Sequence, residues 1–330
     1  MSRRRPSVDE LVAGVLAGDR TALGRAITLV ESTRGDDQDS ARELLSRLLP
    51  ATGGALRVGI TGVPGVGKST FIEALGQRLT ANRTRLAVLA VDPSSTLSGG
   101  SILGDKTRMQ ELARDPLAFV RPSPSRGSLG GVARRTREVI LLCEAAGYEV
   151  VFVETVGVGQ SETMVAGMVD FFLVLMLPGA GDELQGIKRG ILELADMVAI
   201  NKADGDNVQA AQRAKVEYGR ALRLMPRKSE HWSVPVMSCS ALSGDGLNEL
   251  WAEVLRYREL MVAAGEWQTN RAEQRVAAMW RAIEWGVMGV FRGDPGVQGR
   301  AGELEDAVRE GRVAPDHAAM ELLAVFRSGE

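Results

Sequence analysis

The chain has 330 residues, 45% of them hydrophobic, and its 40 basic and 42 acidic side chains leave a net charge of −2. That length buries a substantial core and leaves room for attachments around one large domain, while the near-neutral balance argues for neither nucleic acid nor an acidic membrane surface as a partner. Cys143 and Cys239 are the two cysteines, far apart and outside any CxxC pattern, which excludes a disulfide scaffold and a zinc site and fits a reducing cytoplasm. At the N-terminus, Arg3 to Arg5 ahead of an apolar 11–18 stretch imitate a secretion signal, but Asp9 and Glu10 break the junction and Asp19 with Arg20 closes it. No stretch approaches the roughly 18 uninterrupted apolar residues of a membrane span. Leu11, Val12, Val15 and Leu16, then Leu23, Ile27, Leu29 and Val30, then Leu44, Leu45, Leu48 and Leu49 recur at helical spacing. They predict short amphipathic helices forming an N-terminal arm over residues 1–50.

From 51 to 264, apolar runs alternate with helical patterns. The runs are Leu56, Val58 and Ile60, then 86–91, 150–153, 171–177, 197–200 and 234–237. Buried, β-branched runs separated by helices predict an α/β domain with a mostly parallel sheet covered by helices on both faces. Directly after the first run stand Gly62, Val63, Pro64, Gly65, Val66, Gly67, Lys68 and Ser69, a full GxxxxGK[ST] match, followed by Thr70 and by Phe71, Ile72, Leu75 and Leu79 at helical spacing. A glycine-rich turn between strand and helix lets successive backbone N–H groups converge on phosphate oxygens at a helix N-terminus. Lys68 then reaches the terminal phosphates and Ser69 offers its hydroxyl to Mg²⁺. The fold expected is therefore a P-loop NTPase with helical extensions at both ends.

Four further places bear on that chemistry. Asp92 follows the 86–91 run and Asp105 lies on the Ser- and Gly-rich loop after it; either carboxylate is a candidate to orient the Mg²⁺ shell or the attacking water, against an Asx turn before Pro93 and a solvated loop charge. Glu154 ends the 150–153 run and Gly157 follows three residues later. That pattern organises Mg²⁺ through the acid and contacts a γ-phosphate through the glycine N–H. The residue after Gly157 is Val158 rather than a water-placing glutamine, so intrinsic hydrolysis is expected to be slow. Asn201, Lys202, Ala203 and Asp204 follow the 197–200 run, at the C-terminal edge of the sheet where ligands bind in open α/β folds. There Asp204 can accept from guanine N1–H and the N2 amine, a donor pair that adenine lacks; Asn201 supports the loop and the Lys202 stem covers base or ribose. Ser240, Ala241 and Leu242, after the 234–237 run, are candidates to give a backbone N–H to the guanine oxygen.

After Gly265 the strand patterns stop. Val276, Met279, Trp280, Ile283, Val287 and Phe291 mark one face of a long helix, a break is expected at Gly293, Gly296 and Gly299, and further helix runs to Phe326. Trp251, Trp267, Trp280 and Trp285 are four of the five tryptophans, and tryptophan favours interfaces. Residues 265–330 therefore read as a helical dimerisation region, with packing back onto the preceding domain as the alternative.

Taken in order, the 62–69 loop, Asp92 with Pro93 and two serines, Glu154 to Gly157 and Asn201 to Asp204 resemble the methylmalonyl-CoA mutase-associated GTPases, the MeaB/ArgK-type proteins. The resemblance covers nearly the whole chain, including the 94–105 loop and the 179–189 loop with Asp182, Glu183, Gln185, Lys188 and Arg189. It implies a homodimeric, cytoplasmic, Mg²⁺-dependent GTPase that cycles between GTP and GDP. It further implies a chaperone of an adenosylcobalamin-dependent methylmalonyl-CoA mutase, gating cofactor delivery and protecting the mutase from inactivation, with the 179–189 loop as a switch toward that client. The competing readings are a metal-insertion GTPase, disfavoured by the presence of only His231 and His317 as histidines, a P-loop kinase, and an ATP-dependent transport accessory protein, against which Asp204 argues.

Overall fold

A computed structural model of the chain describes residues 5–91, 109–122, 129–155, 161–179 and 189–328. It divides into two compact units, 1–274 and 275–330. The first opens with three helices, α1 (Val8–Leu16), α2 (Arg20–Val30) and α3 (Gly35–Leu48). Their starts follow from capping chemistry: Ser7 and Glu10 form a reciprocal capping box, and the Asp19 carboxylate accepts from the amides of Thr21 and Ala22 at 2.6 and 2.9 Å. Those amide bonds hold the Asp19 carboxyl below its ordinary range. The predicted apolar faces are buried at Leu11, Val15, Leu23, Ile27, Leu44 and Leu48, whereas Leu16 and Leu49, one position past each stripe, are half exposed.

The sheet has seven strands, all parallel: β1 (Leu56–Gly62), β2 (Leu86–Val91), β3 (Ala118–Pro122), β4 (Val150–Thr155), β5 (Phe171–Met176), β6 (Met197–Ile200) and β7 (Val236–Ser238), in the order β3-β2-β4-β1-β5-β6-β7. This is the P-loop NTPase architecture. The strand absent from the sequence expectation is β3. It lies on the edge, pairs with β2 alone and carries Arg121 and Pro122 at its end; an edge strand has no need of the continuous apolar run that marks a buried one, and it tolerates a proline. Among the described residues the helices that complete the unit are α4 (Lys68–Ala81), α5 (Gln110–Arg114), α6 (Leu129–Ala145), α7 (Ser161–Ala166), α8 (Arg189–Leu194), α9 (Val208–Arg223), α10 (Leu247–Ala263) and the first turns of α11 (Glu266–Gly293). One face of the sheet packs Val58, Ile60, Val88, Phe152, Phe171 and Leu173 against Phe71, Ile72 and Leu75 of α4 and Leu250, Val254 and Tyr257 of α10. On the other face β1 presents Gly59, where an added Cβ would stand 2.8 Å from the Phe172 ring and 3.0 Å from Val169.

At the N-terminal edge of the sheet lies a buried charge cluster. Arg271 of α11 is 4% exposed. Its guanidinium forks onto Asp170, with Nε to Oδ1 and Nη2 to Oδ2 both 2.6 Å, and also donates to the carbonyls of Gly53 and Ala55 at 2.5 and 2.6 Å. Asp170 in turn accepts from the Arg57 amide at 2.8 Å, and the Arg57 side chain pairs with Glu144 at 2.8 and 2.9 Å. Trp267 stacks on the guanidinium with 4.9 Å to the ring centroid. Both carboxylate oxygens of Asp170 are thus bonded, and removing the cation strands a carboxylate that is 2% exposed. Arg271→Ala is expected to cost about 3 kcal/mol, read as a lowered midpoint in urea unfolding. A variant that unfolds at the wild-type midpoint would show that the cluster is not stabilising.

The second unit contains the remainder of α11, α12 (Pro295–Arg309) and α13 (Pro315–Ser328). The break after α11 is narrower than the three glycines suggest. Asp294 caps α12 by accepting from the Val297 amide at 2.9 Å, with Pro295 in the first turn, while Gly296 and Gly299 lie inside the helix. A Cβ on Gly296 would stand 3.1 Å from Val325 Cγ1, so the glycine serves close packing against α13 rather than a turn. Phe291 meets Phe326 edge to face at 5.4 Å, and Arg300 pairs with Glu321 at 2.8 Å. Val276, Met279, Trp280, Ile283 and Val287 are 44–57% exposed, so the predicted apolar face of α11 is a stripe open to solvent in the single chain.

Candidate functional site

Register brings the phosphate-binding residues together. Ile60 of β1 stands opposite Glu154 of β4, and β1 ends two residues later at Gly62. The 62–67 turn then delivers the chain into α4 through Gly67, which caps the helix in the left-handed region (φ 90°, ψ 32°). A side chain there would be strained, and its Cβ would stand 3.1 Å from Asn201 Nδ2, so glycine serves both the turn and the close approach. Lys68 Nζ donates to the Gly62 carbonyl at 2.7 Å and lies 3.4 Å from that of Val63; the ammonium is already folded over the loop. Ser69 Oγ donates to Glu154 Oε1 at 3.2 Å, and Glu154 is 3% exposed. Next to it the hydroxyls of Thr61 and Thr155, both fully buried, are bonded at 2.8 Å across β1 and β4. Thr70 is exposed on the first turn of α4 and Val66 is buried beneath the loop. Asp92, Asp105 and Gly157 lie outside the described residues.

The second half of the site is built on β6 and β7. Asn201, 1% exposed, donates from Nδ2 to the Val66 carbonyl at 2.8 Å and accepts at Oδ1 from the Ala241 amide at 3.1 Å. One side chain therefore fastens the phosphate loop to the loop after β7. Lys202 adopts a left-handed conformation (φ 59°), unusual for a residue with a Cβ, and this turns the chain so that Ala203 N–H reaches the Cys239 carbonyl at 3.0 Å. Asp204 is half-buried, and Ser240 Oγ bonds to its Oδ2. The amides of Leu242 and Ser243 donate to the same Ser240 oxygen at 3.2 and 3.0 Å. With both lone pairs of the hydroxyl taken, its proton can go only to Asp204, which fixes the carboxylate as the acceptor.

The amides of Ala241, Leu242 and Ser243 are thus engaged inside the protein. The Ser240 amide is likewise taken, donating to the Asp245 carbonyl at 2.9 Å, so each loop amide named as a candidate for a guanine oxygen already has a partner within the protein. Behind the loop Cys239 is 2% exposed, its Sγ 3.8 Å from Asn201 Oδ1, and burial pushes its thiol up to about 12; it packs there as a small apolar side chain and is not a nucleophile. Among the described residues no cluster of three or more His, Cys, Asp or Glu side chains is arranged around a cation. The oxygen pair of Ser69 and Glu154 is the hard donor set that suits Mg²⁺.

Chemically, the geometry offers a helix N-terminus and a lysine for phosphate, two hard oxygens for a divalent cation, and a carboxylate after β6 for a base, joined through Asn201, which reaches back 135 residues to Val66. Similarity to known proteins agrees with it. A Caulobacter vibrioides protein carrying a GTPase name is 56% identical over 97% of this chain and 98% of its own length. The mitochondrial methylmalonic aciduria type A homolog of Mus musculus is 48% identical over 97% of this chain and 80% of its own. A solved structure titled LAO/AO transport system kinase superposes with a TM-score of 0.78 at 38% identity, covering 97% of both chains. The family description "Methylmalonyl Co-A mutase-associated GTPase MeaB" matches residues 23–294. The chain belongs to the MeaB family of methylmalonyl Co-A mutase-associated GTPases.

Proposed function

We propose that this protein is a Mg²⁺-dependent GTPase that acts as a timer for an adenosylcobalamin-dependent methylmalonyl-CoA mutase, gating cofactor delivery and guarding the mutase against inactivation. The observation that carries the reading is Asn201, which bonds the phosphate loop at Val66 and the base loop at Ala241 simultaneously, so that phosphates and guanine are gripped by one rigid unit. The α4 N-terminus and Lys68 bind the triphosphate. Ser69 and Glu154 would hold Mg²⁺, which when bound neutralises phosphate charge as a Lewis acid. Asp204, oriented by Ser240, accepts from the guanine edge. Asp92, Asp105 and Gly157 complete the Mg²⁺ and γ-phosphate contacts in this proposal, with the 92–108, 157–163 and 179–189 segments as the parts whose arrangement follows the nucleotide.

Val158 in place of a water-placing glutamine supports a slow intrinsic rate that the client raises. The solvent-exposed stripe of Val276, Met279, Trp280, Ile283 and Val287 supports a homodimer formed through the C-terminal region. Two free, buried cysteines fit a cytoplasmic setting. Among the described residues no helix is long and apolar enough to cross a membrane.

The test is GTP turnover by the purified protein with and without the mutase. Stimulation of at least about tenfold is expected if the client completes the catalytic site, as activating partners do for other GTPases. A rate indifferent to the mutase would remove this client and leave the GTPase alone.

A further inference from the structure

We infer that Arg78 is a positioning residue for guanine recognition, acting through the loop that orients Asp204; the inference rests on the reading of Asp204 as the base-recognition carboxylate. Arg78 lies in the last turn of α4, ten residues after Lys68, which places it about 15 Å along the helix and away from the phosphates. Its guanidinium crosses to the segment after β7, where Nη2 donates to the Gly244 carbonyl of the loop at 3.0 Å and Nη1 to Asn248 Oδ1, in the first turn of α10, at 3.1 Å.

The loop it grips is closed on itself. The Gly244 amide donates to the Ser240 carbonyl and the Ser240 amide to the Asp245 carbonyl, both at 2.9 Å, so the position of Gly244 sets the position of Ser240. Ser240 then holds Asp204 by its hydroxyl. Gly244 is left-handed (φ 85°), and a Cβ there would stand 2.0 Å from Arg78 Nη2. The corner is therefore shaped twice over for the guanidinium, by its backbone conformation and by the missing side chain. Both acceptors are neutral, so the contact is a charge-to-dipole bond with a planar fork that a lysine cannot reproduce. The chain of contacts runs from Arg78 to Gly244 to Ser240 to Asp204 and does not pass through the phosphate loop.

The experiment uses the purified full chain with Mg²⁺ and measures the affinity for GDP, ADP and inorganic pyrophosphate by calorimetry. Arg78→Met keeps the aliphatic stem and removes the fork; it is expected to weaken GDP binding about tenfold, the effect of one charge-assisted hydrogen bond, while pyrophosphate and ADP bind as before. Gly244→Ala displaces the guanidinium without touching α4 and is expected to give the same pattern. Arg78→Lys, which serves one acceptor, should fall between Arg78→Met and wild type. An unchanged GDP affinity in Arg78→Met, or an equal loss for GDP and pyrophosphate, would overturn the assignment, the second outcome showing that α4 itself had shifted. A wild-type protein that binds ADP as tightly as GDP would instead overturn the guanine reading on which it rests.

Discussion

Asp204→Asn is expected to exchange the nucleotide preference of this protein from guanine to xanthine. In the wild-type site the Asp204 carboxylate accepts a hydrogen bond from the Ser240 hydroxyl and presents only acceptors, complementary to guanine N1–H and the N2 amine. The carboxamide left by the substitution turns an N–H₂ toward the guanine amine, donor against donor. Two charge-assisted hydrogen bonds are lost, each worth about 1.5–3 kcal/mol, so GTP affinity should fall by roughly two to four orders of magnitude. Xanthine carries an oxygen where guanine carries the amine, so xanthosine triphosphate should recover most of the loss. Competition of GTP, ATP and xanthosine triphosphate for hydrolysis by the purified variant decides it, and an unchanged preference for GTP over ATP would remove Asp204 from base recognition.

Lys68→Ala should leave the fold intact and lower kcat for GTP hydrolysis by at least about a hundredfold, the effect of deleting one preorganised donor to a transferring phosphoryl group. The fold should be spared because the bonds of the ammonium to the carbonyls of Gly62 and Val63 lie within the loop itself, and the α4 helix is capped by backbone geometry at Gly67 rather than by a side chain. Single-turnover hydrolysis of GTP, with and without the mutase, gives the comparison. Hydrolysis at the wild-type rate in the variant would dismiss the loop as the catalytic phosphate site, whatever the family of the protein.

The two predictions differ in how much of their basis is visible in the chain itself. The phosphate loop, its strand and its helix occupy consecutive positions, and the carboxylates of Glu154 and Asp204 each follow a strand run. Parallel strands covered on both faces must be nearly continuous apolar stretches, and the ends of those stretches lie at one edge of the sheet, so a catalogue of run ends is already a catalogue of the site. That is why β1, β2, β4 with its Glu154, β5 and β6 and the residues after β1 and β6 could be placed from spacing. The edge strand β3 escaped because its apolar run is only Ala118 to Val120 before Arg121 and Pro122, and Gly296 of α12 misled because its small size serves packing on Val325 instead of a turn.

By itself, then, the order of residues determined the P-loop fold, the glycine-rich turn ahead of a helix and the place of the Asp204 carboxylate after a strand, since each is made by neighbours along the chain or by the end of a buried run. Only the tertiary structure decided what holds them in place. Asn201 reaches back 135 residues to Val66, Arg78 reaches forward 166 to Gly244, and Arg271 closes on Asp170 across 101. A buried charge or amide must find its partner wherever packing brings one, and no local periodicity records which of the chain's arginines or asparagines will be the one that is buried.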